Sequence, residues 1–202
     1  SGLYQGKTSG TPLCGVIKNT NTRSEDYQDI KRLARPGHAD YSAYIRYKGY
    51  NDPRGGGHFS GRITAPLVFA GAIARTWLKE RGIEVGAHVL SLYDINDISF
   101  DTCRVNQDDL IALRGRVLPT IDRKASELMQ KRIMEAKEAS DSLGGVVECA
   151  AIGLPPGWGN PFFCSIESHI SSLLFSIPAV KGVEFGSGFD IGRLKGSEAN
   201  DP

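Results

Sequence analysis

At 202 residues, with 40% hydrophobic and 23% charged side chains, the chain has ordinary globular composition and is long enough for one well-buried domain. Its 24 Lys and Arg against 23 Asp and Glu leave a net charge of +1, which argues against a general nucleic-acid or membrane surface. The longest apolar runs, such as Leu67 to Ala74, fall far short of the ~20 residues of a membrane helix, and no signal peptide is read, so the expected compartment is the cytoplasm.

Ser1 to Thr8 is a near miss of the phosphate loop, with three residues instead of four between Gly2 and Gly6-Lys7. It reads as a turn leading into a strand at about Leu13 to Asn19. Tyr27 to Ala34 reads as a short helical connector. Next come Arg35-Pro36-Gly37-His38-Ala39-Asp40, where the proline extends Arg35, Gly37 permits a sharp turn and His38 is presented between two charges. An imidazole so placed can work as a general acid near neutral pH. Four tyrosines from Tyr41 to Tyr50 could stack on a ligand or pack, and packing is the expectation.

Arg54-Gly55-Gly56-Gly57 follows, then His58, Phe59, Ser60, Gly61 and Arg62. Glycines there allow positive φ and close approach of a planar or phosphorylated ligand to backbone N–H groups. Thr64-Ala65-Pro66 marks a helix start, since proline is tolerated in a first turn. Ser60 and Arg62 then stand beside a helix N-terminus that favours negative charge. The same pattern also fits a glycine-rich surface turn capping a core helix. Leu67, Gly71, Ala74 and Leu78 recur at helical spacing, predicting a largely buried helix that Gly82 stops.

Ile83 to Tyr93 reads as a strand carrying a structural His88, and Asp94 to Thr120 as a solvated insertion without a clean period. Ile121 to Leu143 is expected as a long amphipathic helix ended by Gly144-Gly145, and Val146 to Gly153 as a buried strand. Beyond a rigid loop at Pro155 to Pro161, Ser165 to Ser176 reads as a helix and Lys181 to Phe185 as a short strand, after which the chain trails off. Cys14, Cys103, Cys149 and Cys164 form no C-x-x-C pair and read as reduced structural thiols, with no metal site. Periodicity alone supports a layered α/β or α+β architecture.

The run R-P-G-H-A-D-Y followed by R-G-G-G-x-x-S-G-R-x-T-x-x-x-V-x-x-G-A resembles the chorismate synthase family, matching at Gly57, Ser60, Gly61, Arg62, Thr64, Val68, Gly71 and Ala72. The resemblance extends to Thr11-Pro12, to Asn19 through Tyr27 and to Ala179 through Phe189. It implies an α+β fold, a β-α-β sandwich in which antiparallel sheets enclose helices, and a homotetramer. It also implies a 1,4-elimination of phosphate from 5-enolpyruvylshikimate 3-phosphate, giving chorismate in the shikimate pathway, with reduced FMN and no net redox change. NADPH is a candidate reductant that nothing in the sequence marks.

Carried over residue by residue, the resemblance makes His38 the proton donor to reduced flavin. Arg35 and Arg62 fall at substrate-side positions, and Arg54 is a lesser candidate. His58, Phe59 and Ser60 line the FMN site, with Glu198 and Ala199 from a late G-S-x-x motif. His58-Phe59 departs from the Arg-Ser found in many members. The family's G-E-S-H-G and R-H-D-P motifs are absent, so residues 1–202 are expected to be the central part of a single domain truncated at both ends, folded but not competent alone. The alternative is a module that holds flavin or a phosphorylated metabolite without chemistry. A nucleic-acid binder, suggested only by R-G-G-G, lacks repeated RGG units and a basic face.

Overall fold

The computed structural model describes residues 1–20, 33–52 and 54–200. Two compact units emerge, Ser1–Ala70 with Gly159–Pro202, and Gly71–Trp158.

In the first unit, β1 (Leu3–Tyr4) and β2 (Lys7–Thr8) form a minimal antiparallel hairpin, turned by Gln5 and Gly6 at positive φ. The turn expected at the start is therefore present. The strand expected at Leu13 to Asn19 is not: these residues carry no regular structure, and among the described residues no strand pairs with them. Most of the predicted connector, residues 27–32, lies outside the described residues. The first helix, α1 (Asp40–Arg46), buries Ala43 alone. The tyrosines in and just after it do not pack as expected, since Tyr41, Tyr44, Tyr47 and Tyr50 are all exposed.

A 3-10 turn at Arg54–Phe59 and another at Gly61–Ile63 lead into α2 (Thr64–Lys79), whose start at Thr64 is where the proline signal puts it. The expected burial of α2 is overturned: its apolar stripe exists, but no residue of it is buried, and Leu67, Val68, Phe69 and Trp77 are exposed. A stripe in the sequence records a face able to be covered; covering it requires a partner. Further on, α5 (Ile166–Leu174) is capped by the Ser165 side chain, which accepts from Ser168 N–H at 3.2 Å. No strand forms at Lys181 to Phe185, and Gly188–Arg193 is a 3-10 turn.

The second unit is a three-stranded antiparallel sheet in the order β4-β3-β5, where β3 spans Glu84–Leu92, β4 Ile95–Asn96 and β5 Gly145–Ile152. β3 pairs with β5 from Glu84↔Ile152 to Leu92↔Gly145, with an irregularity between Val89 and Ser91. Between β4 and β5 run α3 (Gln107–Ala112), begun by an Asn106/Asp109 capping box, and α4 (Arg123–Glu138), capped by Asp122. Gly86 of β3 lies under Leu110 so closely that a Cβ would sit 2.7 Å from the Leu110 Cβ, which brings α3 tight against the sheet.

Ile83, Leu110 and Met129 are essentially inaccessible and form the core of this unit. The segment expected as a solvated insertion thus supplies core residues, Leu110 and Leu113 among them; a six-residue helix is too short to show a period. Conversely β5, expected to be buried, exposes Val146 and Val147. The chain is α+β with antiparallel sheets, as expected. All four cysteines are free. Among the described residues no helix is long and apolar enough to cross a membrane.

Candidate functional site

The site begins with a four-residue turn. Proline presets φ at Pro36, Gly37 takes φ +69°, and His38 N–H donates to the Arg35 carbonyl at 3.3 Å, the geometry of a type II turn. The imidazole of His38 lies against the Arg35 guanidinium. Asp40, the first residue of α1, closes the cluster: its Oδ2 accepts from Arg35 N–H at 3.0 Å and Arg35 Nε at 2.8 Å, and its Oδ1 accepts from Arg35 Nη2 at 3.0 Å. The same Oδ1 lies 2.8 Å from His38 Nδ1. Arg35 Nη2 is 3.1 Å from His38 Nδ1 and 3.2 Å from Nε2.

This forked, charge-assisted pairing is the strongest polar contact type available to a carboxylate near the surface. The Arg35 hydrogen bonds, against an opposing desolvation by burial and with help from the charges of Arg35 and His38, hold the Asp40 carboxyl far below its ordinary range.

The glycine turn packs against this cluster. Gly56 takes φ +78°, and a Cβ there would stand 3.2 Å from the Ser60 Cβ and 3.8 Å from Arg35 Nη2. At Gly57, φ is +55° and a Cβ would meet the Asp52 carbonyl at 2.5 Å. Both positions therefore need glycine, for the backbone angle and for space. His58 is exposed on this turn, with Phe59 and Ser60 partly covered. Ser60 Oγ accepts from Arg62 N–H at 3.3 Å and caps the turn that feeds α2, while Thr64 Oγ1 donates to the Gly61 carbonyl at 2.7 Å.

The arginines differ in circumstance. Arg54 is clamped by Asp52, with Nη2 to Oδ2 at 2.6 Å and Nε to Oδ1 at 2.9 Å, both side chains exposed. Hydrogen bonds from the Arg54 side chain and backbone, with the charge of Arg62 adding to them, pull the Asp52 carboxyl down to about 2. Arg54 thus carries its counter-charge with it. Arg62 stands directly ahead of the sixteen-residue α2.

Of the residues singled out in the sequence, Arg35 and His38 meet directly, and Gly56 and Ser60 adjoin them. Arg54 and Arg62 flank the same glycine turn. Among the described residues Glu198 and Ala199 make local bonds: both N–H groups donate to the Lys195 carbonyl, and Glu198 Oε2 accepts from Lys195 N–H. Sequence reasoning had Asp40 only as one of the two charges flanking His38, and gave Asp52 no part in the site, although it stands two residues from the arginine it grips. No group of three His, Cys, Asp or Glu among the described residues is arranged to hold a metal ion. A partly exposed imidazole, two arginines and a glycine turn at a helix start are suited to an anionic, planar ligand.

A family model described as chorismate synthase matches residues 1–202. Among curated proteins, chorismate synthases of Thermococcus kodakarensis and Dehalococcoides mccartyi are 45% and 46% identical over 202 residues, the whole of this chain in each case. The chain spans 55% and 54% of their lengths. A crystal structure of chorismate synthase superposes with a TM-score of 0.78 at 31% identity, covering all of this chain and 59% of that one.

Proposed function

The chain belongs to the chorismate synthase family, and from that premise we propose that it contributes the Arg35, His38, Arg62 face of a lyase site. The reaction is the redox-neutral 1,4-elimination of phosphate from 5-enolpyruvylshikimate 3-phosphate. The observation that carries this reading is the Arg35–His38–Asp40 cluster packed against the Gly56-Gly57 turn. It unites a proton-carrying ring, a fixed cation and a backbone stripped of Cβ atoms, which are the needs of a flavin and a phosphorylated dicarboxylate.

The residues present fit reduced FMN in one checkable respect. At Gly56 and Gly57 the space a Cβ would take is filled by the Ser60 Cβ and the Asp52 carbonyl, so the two glycines permit the tight turn that brings the residues proposed to hold the ring close to the cationic Arg35. His58, Phe59 and Ser60 would hold the flavin there, with Glu198 and Ala199 as further contacts. When bound, reduced FMN supplies a reduced ring whose electrons are not consumed overall. Arg62, and Arg54 once drawn from Asp52, hold the substrate's phosphate and carboxylates. Arg35, held by Asp40, stands on the substrate side with them, and His38 would be the residue that holds a proton for the flavin. The intact protein works as a cytoplasmic homotetramer on a small phosphorylated substrate, without nucleic acid or membrane.

We further propose that the 202-residue chain alone folds but does not turn over, because loss of positioned groups costs orders of magnitude in rate. An anaerobic assay with excess reduced FMN and 5-enolpyruvylshikimate 3-phosphate, read by chorismate absorbance, is expected to show no steady turnover by this chain and turnover by the full-length gene product. Turnover by the isolated chain would place the catalytic set within it. An inactive full-length product would overturn the reading of function.

A further inference from the structure

We propose that Asp52 is an exchangeable counter-ion for Arg54: its carboxylate holds the arginine fork between turnovers, yields it to the phosphate of the substrate, and takes it back as inorganic phosphate departs. This rests on the reading of Arg54 as a substrate-side residue given above.

The fork is filled as an oxyanion would fill it. Arg54 Nε donates to Asp52 Oδ1 at 2.9 Å and to Oδ2 at 3.1 Å, Nη2 donates to Oδ2 at 2.6 Å, and the Arg54 backbone N–H donates to Oδ1 at 3.1 Å. A phosphate uses the same planar pair of donors, so carboxylate and ligand exclude one another there. Among the described residues Nη1 has no hydrogen-bond partner, which gives an incoming anion a donor to engage before Asp52 has left. Asp52 competes as an anion throughout the neutral range, because hydrogen bonds from the Arg54 side chain and backbone, with the charge of Arg62 adding to them, hold its carboxyl at about 2.

Exposure is what makes the pair exchangeable. The Arg54 and Asp52 side chains are 76% and 56% exposed, and an exposed pair of this kind is weak against a competing anion. The backbone of Asp52 is fixed all the same: its carbonyl fills the space of a Cβ at Gly57, so the main chain is set in the glycine turn while the carboxylate turns about its own side-chain bonds. Asp40 is the contrast. It accepts from Arg35 N, Nε and Nη2 on a side chain only 15% exposed, so Arg35 keeps its carboxylate when a ligand arrives. Arg35 is thus a fixed cation and Arg54 a releasable one. Competition from Asp52 weakens binding of substrate and of phosphate product alike, which hastens product release.

Inorganic phosphate is the probe. Titrated into the nitrogen-15-labelled 202-residue chain, it is expected to move the Arg54 Nε resonance, and Asp52→Asn should lower the phosphate dissociation constant about three- to fivefold. Asp52→Glu, which returns the charge on a longer arm, should recover most of the wild-type value. If circular dichroism shows that the asparagine variant has lost helix, Asp52→Ser, whose hydroxyl can still accept from Arg54 N–H, takes its place. A double-mutant cycle separates exchange from mere loss of a negative charge: in an Arg54→Gln background, read from the Gly61 and Arg62 backbone amides, the gain from Asp52→Asn should vanish. A gain that persists there, an Arg54 resonance that ignores phosphate, or an unchanged dissociation constant overturns the proposal.

In the full-length gene product, Asp52→Asn should lower the inhibition constant of inorganic phosphate about threefold or more and lower KM for 5-enolpyruvylshikimate 3-phosphate in parallel. An unchanged inhibition constant would also overturn it. The two readings fail separately: an inactive full-length product removes the lyase reading and leaves the phosphate titration of the 202-residue chain standing.

Discussion

His88 and Glu148 are register partners across β3 and β5, and His88 Nε2 lies 2.7 Å from Glu148 Oε2. At its other nitrogen the same ring faces Asp97 Oδ2 at 2.9 Å, and Phe100 packs edge-on against it. His88 and the Asp97 side chain are completely buried. Burial by itself pushes the Asp97 carboxyl up, but N–H groups of Asp122, Ile121 and Ile98, with His88, outweigh it and hold the carboxyl below its ordinary value. A ring with a carboxylate oxygen at each nitrogen satisfies both only by donating from both. This cluster ties β4 and β5 to β3 and, through the Ile121 and Asp122 N–H groups on Asp97, fixes the start of α4.

Removing the ring leaves two carboxylates without their shared donor. His88→Ala is expected to destabilise the chain by about 3 to 5 kcal/mol, the cost of breaking a buried charge pair. Glu148→Gln should cost less, about 1 to 2 kcal/mol, because the amide oxygen can still accept from His88 Nε2 and from Phe100 N–H, now 2.9 Å from Glu148 Oε2. Urea denaturation followed by circular dichroism measures both. Equal losses, or a His88→Ala loss below 1 kcal/mol, would contradict the cluster's structural role.

The acid side of the stability profile tests the Arg35–Asp40 pair. Because the folded carboxyl titrates far below its ordinary 3.8, its contribution is fully present above that value and is lost only as pH falls further, through the folded value. The carbon-13 shift of the Asp40 carboxyl should therefore show no inflection down to pH 3. An inflection at or above 3.8 would mean that the pair does not persist in solution.

Gly57 and Gly61 make a matched pair of substitutions. Gly57→Ala forces a Cβ to 2.5 Å from the Asp52 carbonyl at φ +55°, so it should destabilise the first unit by more than about 1 kcal/mol. Gly61→Ala meets nothing within 4 Å and should be nearly neutral. Thermal melts of the two variants that coincide would refute the close turn.

Arg62→Lys keeps charge but loses the planar fork. In the full-length gene product it is expected to weaken binding of the phosphorylated substrate by about 1 to 3 kcal/mol, read by calorimetric titration. Unchanged affinity would make Arg62 a structural residue of the α2 start.

His38→Ala in the same full-length protein should lower kcat by about 10²-fold or more, with substrate affinity nearly unchanged. Full activity would remove His38 from the proton transfer.

Local chemistry made much of this chain legible in its residues. Pro36-Gly37 specified the turn that presents His38 and Pro66 the first turn of α2, because each effect acts within a few residues. β3 was readable as a strand despite its imperfect alternation, and the motif around Gly57 was readable too. Burial was not legible, because it depends on what arrives from elsewhere in the chain. The stripes of α2 and β5 predicted covered faces that stand exposed, while the period-less segment before Thr120 brought Leu110 and Leu113 into the core. The partners of charged groups were decided in the same way. The sequence placed His88 in a strand, but only sheet register set Glu148 opposite it, and only the return of the chain from β4 brought in Asp97, 2.9 Å from its ring. At the site, Asp40 stood five residues from Arg35 as an ordinary flanking charge; it became the group that grips both Arg35 and His38 once the turn folded the three onto one another.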